Sequence, residues 1–265
     1  MIENKIIIVM KAVPSVVLIF FVLLVLAGCS VKEDRIECPC RLMLDLSGID
    51  TSMVQSLNIH AISSDGIVFS DTLDQQDFSR TFVRDVPHIG MRISIWGIDG
   101  SGDVLQIPYG MECPPVYMCS FDADTSGEIF FKEVELYKNH CCLTVLFDGL
   151  KEMPYSLTFR GNVDGYGKDG LPSEGDFACV AYPGAEGGSQ VILPRQTDSS
   201  LLLEVEDEHT SIMKTFAIGE YLVRSGYDWT AESLKDATVI LDYYITGITI
   251  IVKGWDKEYS YDIIL

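Results

Sequence analysis

Basic residues are scarce in this 265-residue chain: 19 lysines and arginines face 39 aspartates and glutamates, for a formal net charge of −20. That is the wrong sign for a surface that neutralises phosphates, and it excludes nucleic acid as a partner. Histidine is scarcer still, and His60, His88, His140 and His209 stand alone in sequence. Cys38-Pro39-Cys40 has a one-residue gap, shorter than the usual spacing of paired zinc ligands, so no metal is expected. There is no Gly-x-Ser-x-Gly elbow and no His-Glu-x-x-His pair, the signatures of a serine hydrolase and of a zinc peptidase. Long helical periodicity is also missing. These absences point away from an enzyme and from any cofactor. What the chain does have is 48% hydrophobic content with 22% charge, ample for a packed core.

The N-terminus is the most informative stretch. Lys5 and Lys11 form a basic region, Ala12 to Leu26 is apolar apart from Ser15, and the small residues Ala27 and Gly28 come next. The uncharged run from Ala12 to Gly28 is 17 residues and contains Pro14, which is at the bottom of the spanning range and reads as a secretory signal peptide over 1–28. Leu26-Ala27-Gly28-Cys29 resembles a bacterial lipobox, which implies cleavage before Cys29 and acylation of its thiol. Several acyl chains hold a protein firmly on a membrane that it does not span. Residues 29–37 would then be a lipidated tether. Within it Lys32, Glu33 and Asp34 resemble the lysine-plus-acidic-pair signal that sends Bacteroidales-type lipoproteins to the outer face of the outer membrane. The plainer alternative is a solvated linker. Removing 1–28 takes away Lys5, Lys11 and Glu3, so the net charge moves from −20 to −21, and lipid rather than electrostatics must do the anchoring.

If Cys29 carries lipid, seven cysteines remain: Cys38, Cys40, Cys113, Cys119, Cys141, Cys142 and Cys179. An odd number forbids complete internal pairing and leaves the connectivity open. Cys141 and Cys142 are neighbours in a strand-like run, so one of them faces inward as a small hydrophobe.

Period-two alternation dominates the rest. Leu42, Leu44 and Leu46 alternate with Met43 and Asp45, Leu57, Ile59 and Ala61 with Asn58 and His60, and Ile93 and Ile95 with Ser94 and Trp96. Further strands are expected over 66–71, 79–86, 128–136, 141–147, 155–160, 177–182, 189–193, 201–206, 211–217, 238–244, 247–253 and 259–264, separated by Gly, Pro, Asp and Ser clusters. Only 219–224 and 230–236 read as helix. So many short strands suit two β-sandwiches, 38–138 and 139–265, meeting at the polar break Lys138-Asn139-His140.

Two look-alike motifs fail on context. Gly165-Tyr166-Gly167-Lys168-Asp169-Gly170 matches the dinucleotide fingerprint by letter, but Leu171-Pro172-Ser173 stands where a helix is needed, so it reads as a loop. Taken as a calcium loop from Asn162, the sequence places Tyr166 and Ser173 where ligands belong. Irregular calcium binding over 162–175 stays open.

Cys38-Pro39-Cys40-Arg41-Leu42 after the tether, Leu136-Tyr137 through Val145, Glu220-Tyr221-Leu222 leading to Gly226-Tyr227-Asp228-Trp229, Asp242-Tyr243-Tyr244 and Ile251-Val252-Lys253-Gly254-Trp255 together resemble the FimB-type fimbrial anchoring lipoproteins, relatives of the type V pilus fimbrillins. The resemblance spans essentially the whole mature chain through loose motifs. It implies two transthyretin-like β-sandwich domains in tandem, in a non-enzymatic outer-membrane lipoprotein that fixes a fimbrium to the cell surface and limits its length. Its partners would be fimbrial subunits, joined by strand addition. In the polymerising relatives a protease removes the N-terminal segment and opens a groove, whereas an anchor keeps it. Arg41-Leu42-Met43-Leu44 would then be a retained edge strand, and Tyr259–Leu265 a candidate contact with the neighbouring subunit; the plainer alternative for each, and the favoured one, is an ordinary strand of its own sandwich.

Two other readings share the same leader and fold. A glycan-binding surface lipoprotein would use exposed rings among Trp96, Trp229, Trp255, Tyr243 and Tyr244, although most such rings end in cores. A polymerising stalk or tip subunit would be cut at a basic residue such as Arg80 or Arg84.

Overall fold

The computed structural model describes residues 38–97, 105–148, 156–184, 187–206, 209, 212–244, 247–253 and 257–264. Cys40–Leu265 cluster as one compact unit. Among the described residues nine strands precede residue 139: β1 (Cys40–Asp45), β2 (Ser56–Ser63), β3 (Gly66–Asp74), β4 (Thr81–Val86), β5 (Met91–Gly97), β6 (Leu105–Gln106), β7 (Tyr117–Ala123), β8 (Ile129–Glu133) and β9 (Tyr137–Lys138). After it come β10 (His140–Asp148), β11 (Ser156–Tyr166), β12 (Pro172–Ala181), β13 (Gly188–Pro194), β14 (Leu202–Glu206) and β15 (Ile212–Phe216). The helix α1 (Ile218–Arg224) precedes β16 (Ala237–Tyr244), β17 (Gly247–Lys253) and β18 (Glu258–Ile264). The all-β class expected from the alternation is the class observed.

The strands make four sheets. β4-β1-β8 faces β3-β2-β5-β7-β9 across one core, and β13-β10-β16-β17-β18 faces β12-β11-β14-β15 across another. Alternation explains each inner face. In β1, Leu42 and Leu44 are fully buried while Arg41 is exposed, and they meet Leu57 and Ile59 of β2 and Ile93 and Ile95 of β5. Burial of each such side chain contributes about 1.5–3 kcal/mol. The second core is built the same way, from Leu143 and Val145 of β10, Leu157 and Phe159 of β11, and Val239 and Leu241 of β16.

β5 breaks the simple pattern, because Ser94 and Trp96 on its outer side are as buried as Ile93 and Ile95. The cause is the tight turn between β11 and β12, which lies on that outer face. Arg92 Nε donates to the Asp169 carbonyl at 3.0 Å, and the Ser94 hydroxyl donates to the Lys168 carbonyl. Trp96 therefore packs into the second core although β5 belongs to the first pair of sheets. The fingerprint-like glycines have conformational reasons to be there. Gly170 has φ +73°, and a Cβ on it would lie 2.0 Å from Ser120 Oγ. At Gly165 a Cβ would lie 2.1 Å from the Leu105 carbonyl oxygen, where β6 pairs with β11. The expected loop is thus smaller than its motif: Gly165 and Tyr166 end β11, and Pro172 begins β12.

The Lys138-Asn139-His140 break is densely bonded. Asn139 N–H donates to the Val116 carbonyl, the Tyr166 hydroxyl donates to the Asn139 carbonyl, and Arg195 Nε donates to Asn139 Oδ1 at 3.0 Å.

One expected helix is absent. Residues 230–236 form an irregular stretch of turn, bend and extended chain, because their backbone is held by side chains and by distant strands. The Arg195 guanidinium donates to the carbonyls of Trp229, Ala231 and Glu232, Tyr227 OH donates to the Lys235 carbonyl, and Leu234 N–H bonds to the Lys138 carbonyl. Asp228 Oδ1 accepts from Thr230 N–H at 2.8 Å and from its hydroxyl at 2.6 Å, an arrangement that competes with helix. The other expected helix appears one residue longer than read, as α1.

Candidate functional site

Joining by strand addition needs a sheet edge whose N–H and C=O groups lack partners. Each pair of sheets has two open sides, and side chains or crossing chain close one side of each. On the first pair, Phe69 of β3 stacks on Phe82 of β4 with centroids 6.0 Å apart, and Arg84 pairs with Asp71 while lying 4.6 Å over the Phe69 ring. On the second, the chain between β6 and β7 covers the edges of β12 and β13. Gly110 N–H donates to the Ala178 carbonyl at 2.8 Å, Cys113 N–H to the Ile192 carbonyl at 3.1 Å, and Ile192 N–H to the Glu112 carboxylate.

The expectation for Arg41–Leu44 needs correcting. β1 is not an edge: it pairs antiparallel with β4, Leu42 opposite Arg84, and parallel with β8, Leu42 opposite Phe130. The physical reason is that β4 and β8 take up the backbone N–H and C=O groups on both sides of β1, so no row is left unpaired. Tyr259–Leu265 fares differently. β18 is the last strand of its sheet, paired with β17 from Lys253–Glu258 to Gly247–Ile264, and among the described residues no strand lies on its other side. Tyr259, Tyr261 and Ile263 are half-buried on one face, with Glu258, Ser260 and Asp262 exposed on the other. Tyr261 rests on Tyr221 of α1 at 5.1 Å, and its hydroxyl bonds Ser225 Oγ at 3.0 Å. At the start of the strand a cavity of about 320 Å³ opens between Tyr227, Ala237, Val252 and Tyr259.

Cys29, Lys32, Glu33 and Asp34 lie outside the described residues. So do Trp255 and the side chains of Tyr243 and Tyr244. Trp96 is 0% and Trp229 4% exposed, which removes both from any sugar-stacking surface. Arg84 sits within β4 and Arg80 in the preceding turn, 4.0 Å from Asp77. In the calcium-like stretch, Asn162 and Asp164 belong to β11 and Ser173 and Glu174 to β12. Among the described residues no three His, Cys, Asp or Glu side chains are placed to hold a metal.

The thiols are mostly sequestered. Cys113, Cys141 and Cys179 belong to the second core and Cys40 and Cys119 to the first, while Cys38 is exposed. Burial pushes the Cys141 and Cys179 thiols up to about 12 and raises that of Cys113 as well. Cys141 faces inward and Cys142 only partly so, as adjacent strand positions require.

The sequence reading missed β7, although Tyr117, Cys119, Phe121 and Ala123 alternate with Met118, Ser120 and Asp122. The signal was present, masked by Pro114-Pro115 just before it.

No family model matches the chain, and no curated protein matches its sequence. Solved structures do resemble it. A candidate polysaccharide-binding protein (DUF1812) of Bacteroides thetaiotaomicron superposes with TM-score 0.62 at 11% identity, covering 84% of this chain and 98% of the other. The fimbrial anchor protein Mfa2 from Porphyromonas gingivalis gives 0.61 at 12% identity, covering 82% and 98%. A candidate adhesin from Bacteroides ovatus gives 0.57 at 12% identity, covering 88% and 97%. At these identities the likeness is one of fold, shared with structures that include a fimbrial anchor and a candidate adhesin.

Proposed function

We propose that the chain is a non-enzymatic structural subunit of a type V fimbrium, with two transthyretin-like sandwiches divided near Asn139. In this reading it is lipidated on Cys29, exported to the outer face of the outer membrane through Lys32, Glu33 and Asp34, and joined to its neighbour through the β18 edge. It anchors the fimbrium and limits its length.

The observation that carries the anchor reading over the stalk or tip reading is the place of β1 together with the composition of the β1–β2 connection. Opening an acceptor groove in the first pair of sheets requires taking out β1 alone. The connection, residues 46–55, contains no arginine or lysine, so a protease that cuts at basic residues has no target there. Cutting at Arg80 or Arg84 would remove β2 and β3 as well, and β2 is the partner of both β3 and β5. A subunit that keeps β1 is joined at one end only, which ends a polymer. The buried state of Trp96 and Trp229 weakens the glycan-binding alternative.

Cells lacking the protein are expected to shed fimbriae into the medium with an altered length distribution, and Cys29→Ala to abolish fatty-acid labelling without unfolding Cys40–Leu265. Fimbriae that stayed attached at normal length in the deletion strain would overturn the anchor reading.

A further inference from the structure

The other open side, between β7 and β8, is a groove of about 1210 Å³. β9 pairs only with the first two residues of β7, Tyr117 opposite Lys138 and Met118 opposite Tyr137. The chain on the N-terminal side of β9 leaves this edge, because Val134 N–H is taken by the carbonyl of Asp45, the last residue of β1. Cys119 to Ala123 therefore have β5 on one side and the groove on the other. Register decides which backbone groups face the groove. Asn139 N–H donates to the Val116 carbonyl, so by the two-residue period of a strand the N–H and C=O groups of Ser120 and Asp122 also point outward. Neither residue has a strand partner on that side among the described residues.

The groove walls differ in chemistry. On the side shared with the core, Phe121 stacks on Phe130 with centroids 6.1 Å apart. Lys132 Nζ lies 5.7 Å over the Phe121 ring, an inward charge of the kind that discourages indiscriminate edge pairing. On the opposite side Glu135 and Glu232 approach the Tyr137 hydroxyl, which donates to Glu135 Oε2 at 3.3 Å. Burial and these two carboxylates push that hydroxyl up to about 12. Neither carboxylate has an ion-pair partner among the described residues. Of the other cations that line the groove, Lys132 lies on the Phe121 wall, Arg92 is held by Asp122 and the Asp169 carbonyl, and Arg195 by Asn139 and three backbone carbonyls.

We propose that the β7 edge accepts an extended segment of a different protein, one whose residues alternate apolar with lysine or arginine. Its apolar row would lie toward Phe121 and its basic row toward Glu135 and Glu232, with its backbone bonded to Ser120 and Asp122. Charge argues for this occupant over a second copy. The chain carries −20, and the terminal strand that a copy could offer, β18, would bring Glu258 and Asp262 into a groove where Glu135 and Glu232 already stand without ion-pair partners among the described residues. The site is separate from β18 and stands or falls independently of the anchor reading.

The test uses the full chain in detergent and two short peptides, one alternating lysine with valine and the other glutamate with valine. The basic peptide should slow amide exchange over 119–123, and Ser120→Pro, which removes an outward N–H while leaving the β5 ladder intact, should abolish that protection. The double variant Glu135→Gln/Glu232→Gln, which leaves the backbone untouched, should weaken binding about tenfold. Unchanged exchange over 119–123 with the basic peptide, equal protection by the acidic one, or undiminished binding to the double variant would each overturn the proposal. Protection by a soluble oligosaccharide and not by the peptide would also overturn it, and would assign the groove to glycan.

Discussion

Arg92 and Asp169 join the two halves of the molecule: the guanidinium Nε of β5 donates at 3.0 Å to the main-chain carbonyl in the β11–β12 turn. A side chain of the first pair of sheets thus finishes the backbone bonding of a turn from the second. Ser94 does the same for the Lys168 carbonyl. Because the recipients are carbonyls, this contact depends on how closely the turn approaches rather than on which side chains it carries.

Gly170→Ala tests that closeness. The φ of +73° and the 2.0 Å approach of an added Cβ to Ser120 Oγ should together cost about 1–3 kcal/mol. Urea unfolding monitored by tryptophan fluorescence will report it, together with faster amide exchange in β5 than in β2.

Arg195→Met removes the donor that holds the carbonyls of Trp229, Ala231 and Glu232. The loss should be about 2–3 kcal/mol, with Arg195→Lys recovering only part, because an ammonium cannot reproduce the planar fork. Thermal melts of the two variants should rank in that order, and equal melts would show that the loop is held by its other bonds.

Stability should fall in alkali. Cys113, Cys141 and Cys179 have thiols raised by burial above their ordinary value of 9.0, the latter two to about 12. Between pH 9 and about 12 the unfolded chain gives up protons that the folded chain keeps, so the contribution is complete below pH 9 and is lost across that window. A urea midpoint at pH 10.5 as high as that at pH 7.5 would contradict this. By the same burial these three thiols should resist alkylation at pH 8 while exposed Cys38 reacts.

Truncation before Tyr259 should leave the first core intact, since β18 pairs only with β17. The expected outcome is rapid exchange in β17 with β1, β2 and β5 unchanged. Loss of protection in β1 would mean that the halves are more strongly coupled than the turn contacts indicate.

Much of this fold was legible because period two is a local signal. Leu42 and Leu44, or Leu143 and Val145, announce their inner face without help from the rest of the chain. What could not be read depended on partners far away in sequence. Residues 230–236 carry a plausible helix start, yet Arg195, Lys138 and Tyr227 claim their backbone groups. Trp96 alternates as a surface residue should, yet it packs among second-core residues that lie far along the chain. The alternation of β1 gives its inner face but not its place in the sheet, which is set by pairing with β4 and with the distant β8. The groove beside β7 could not have been found from alternation, since it is made by the strand that leaves rather than by the one that stays.

β1 also has a mechanical meaning. A pull on the chain at Cys40, along the strand, would load the ladders to β4 and β8 at the same time and in shear, so that many hydrogen bonds share the force before any one breaks. A strand at a rim and peeled from one end would surrender its bonds singly. The position of β1 therefore makes the N-terminal end of this protein a point that withstands tension, whatever hangs from the other end.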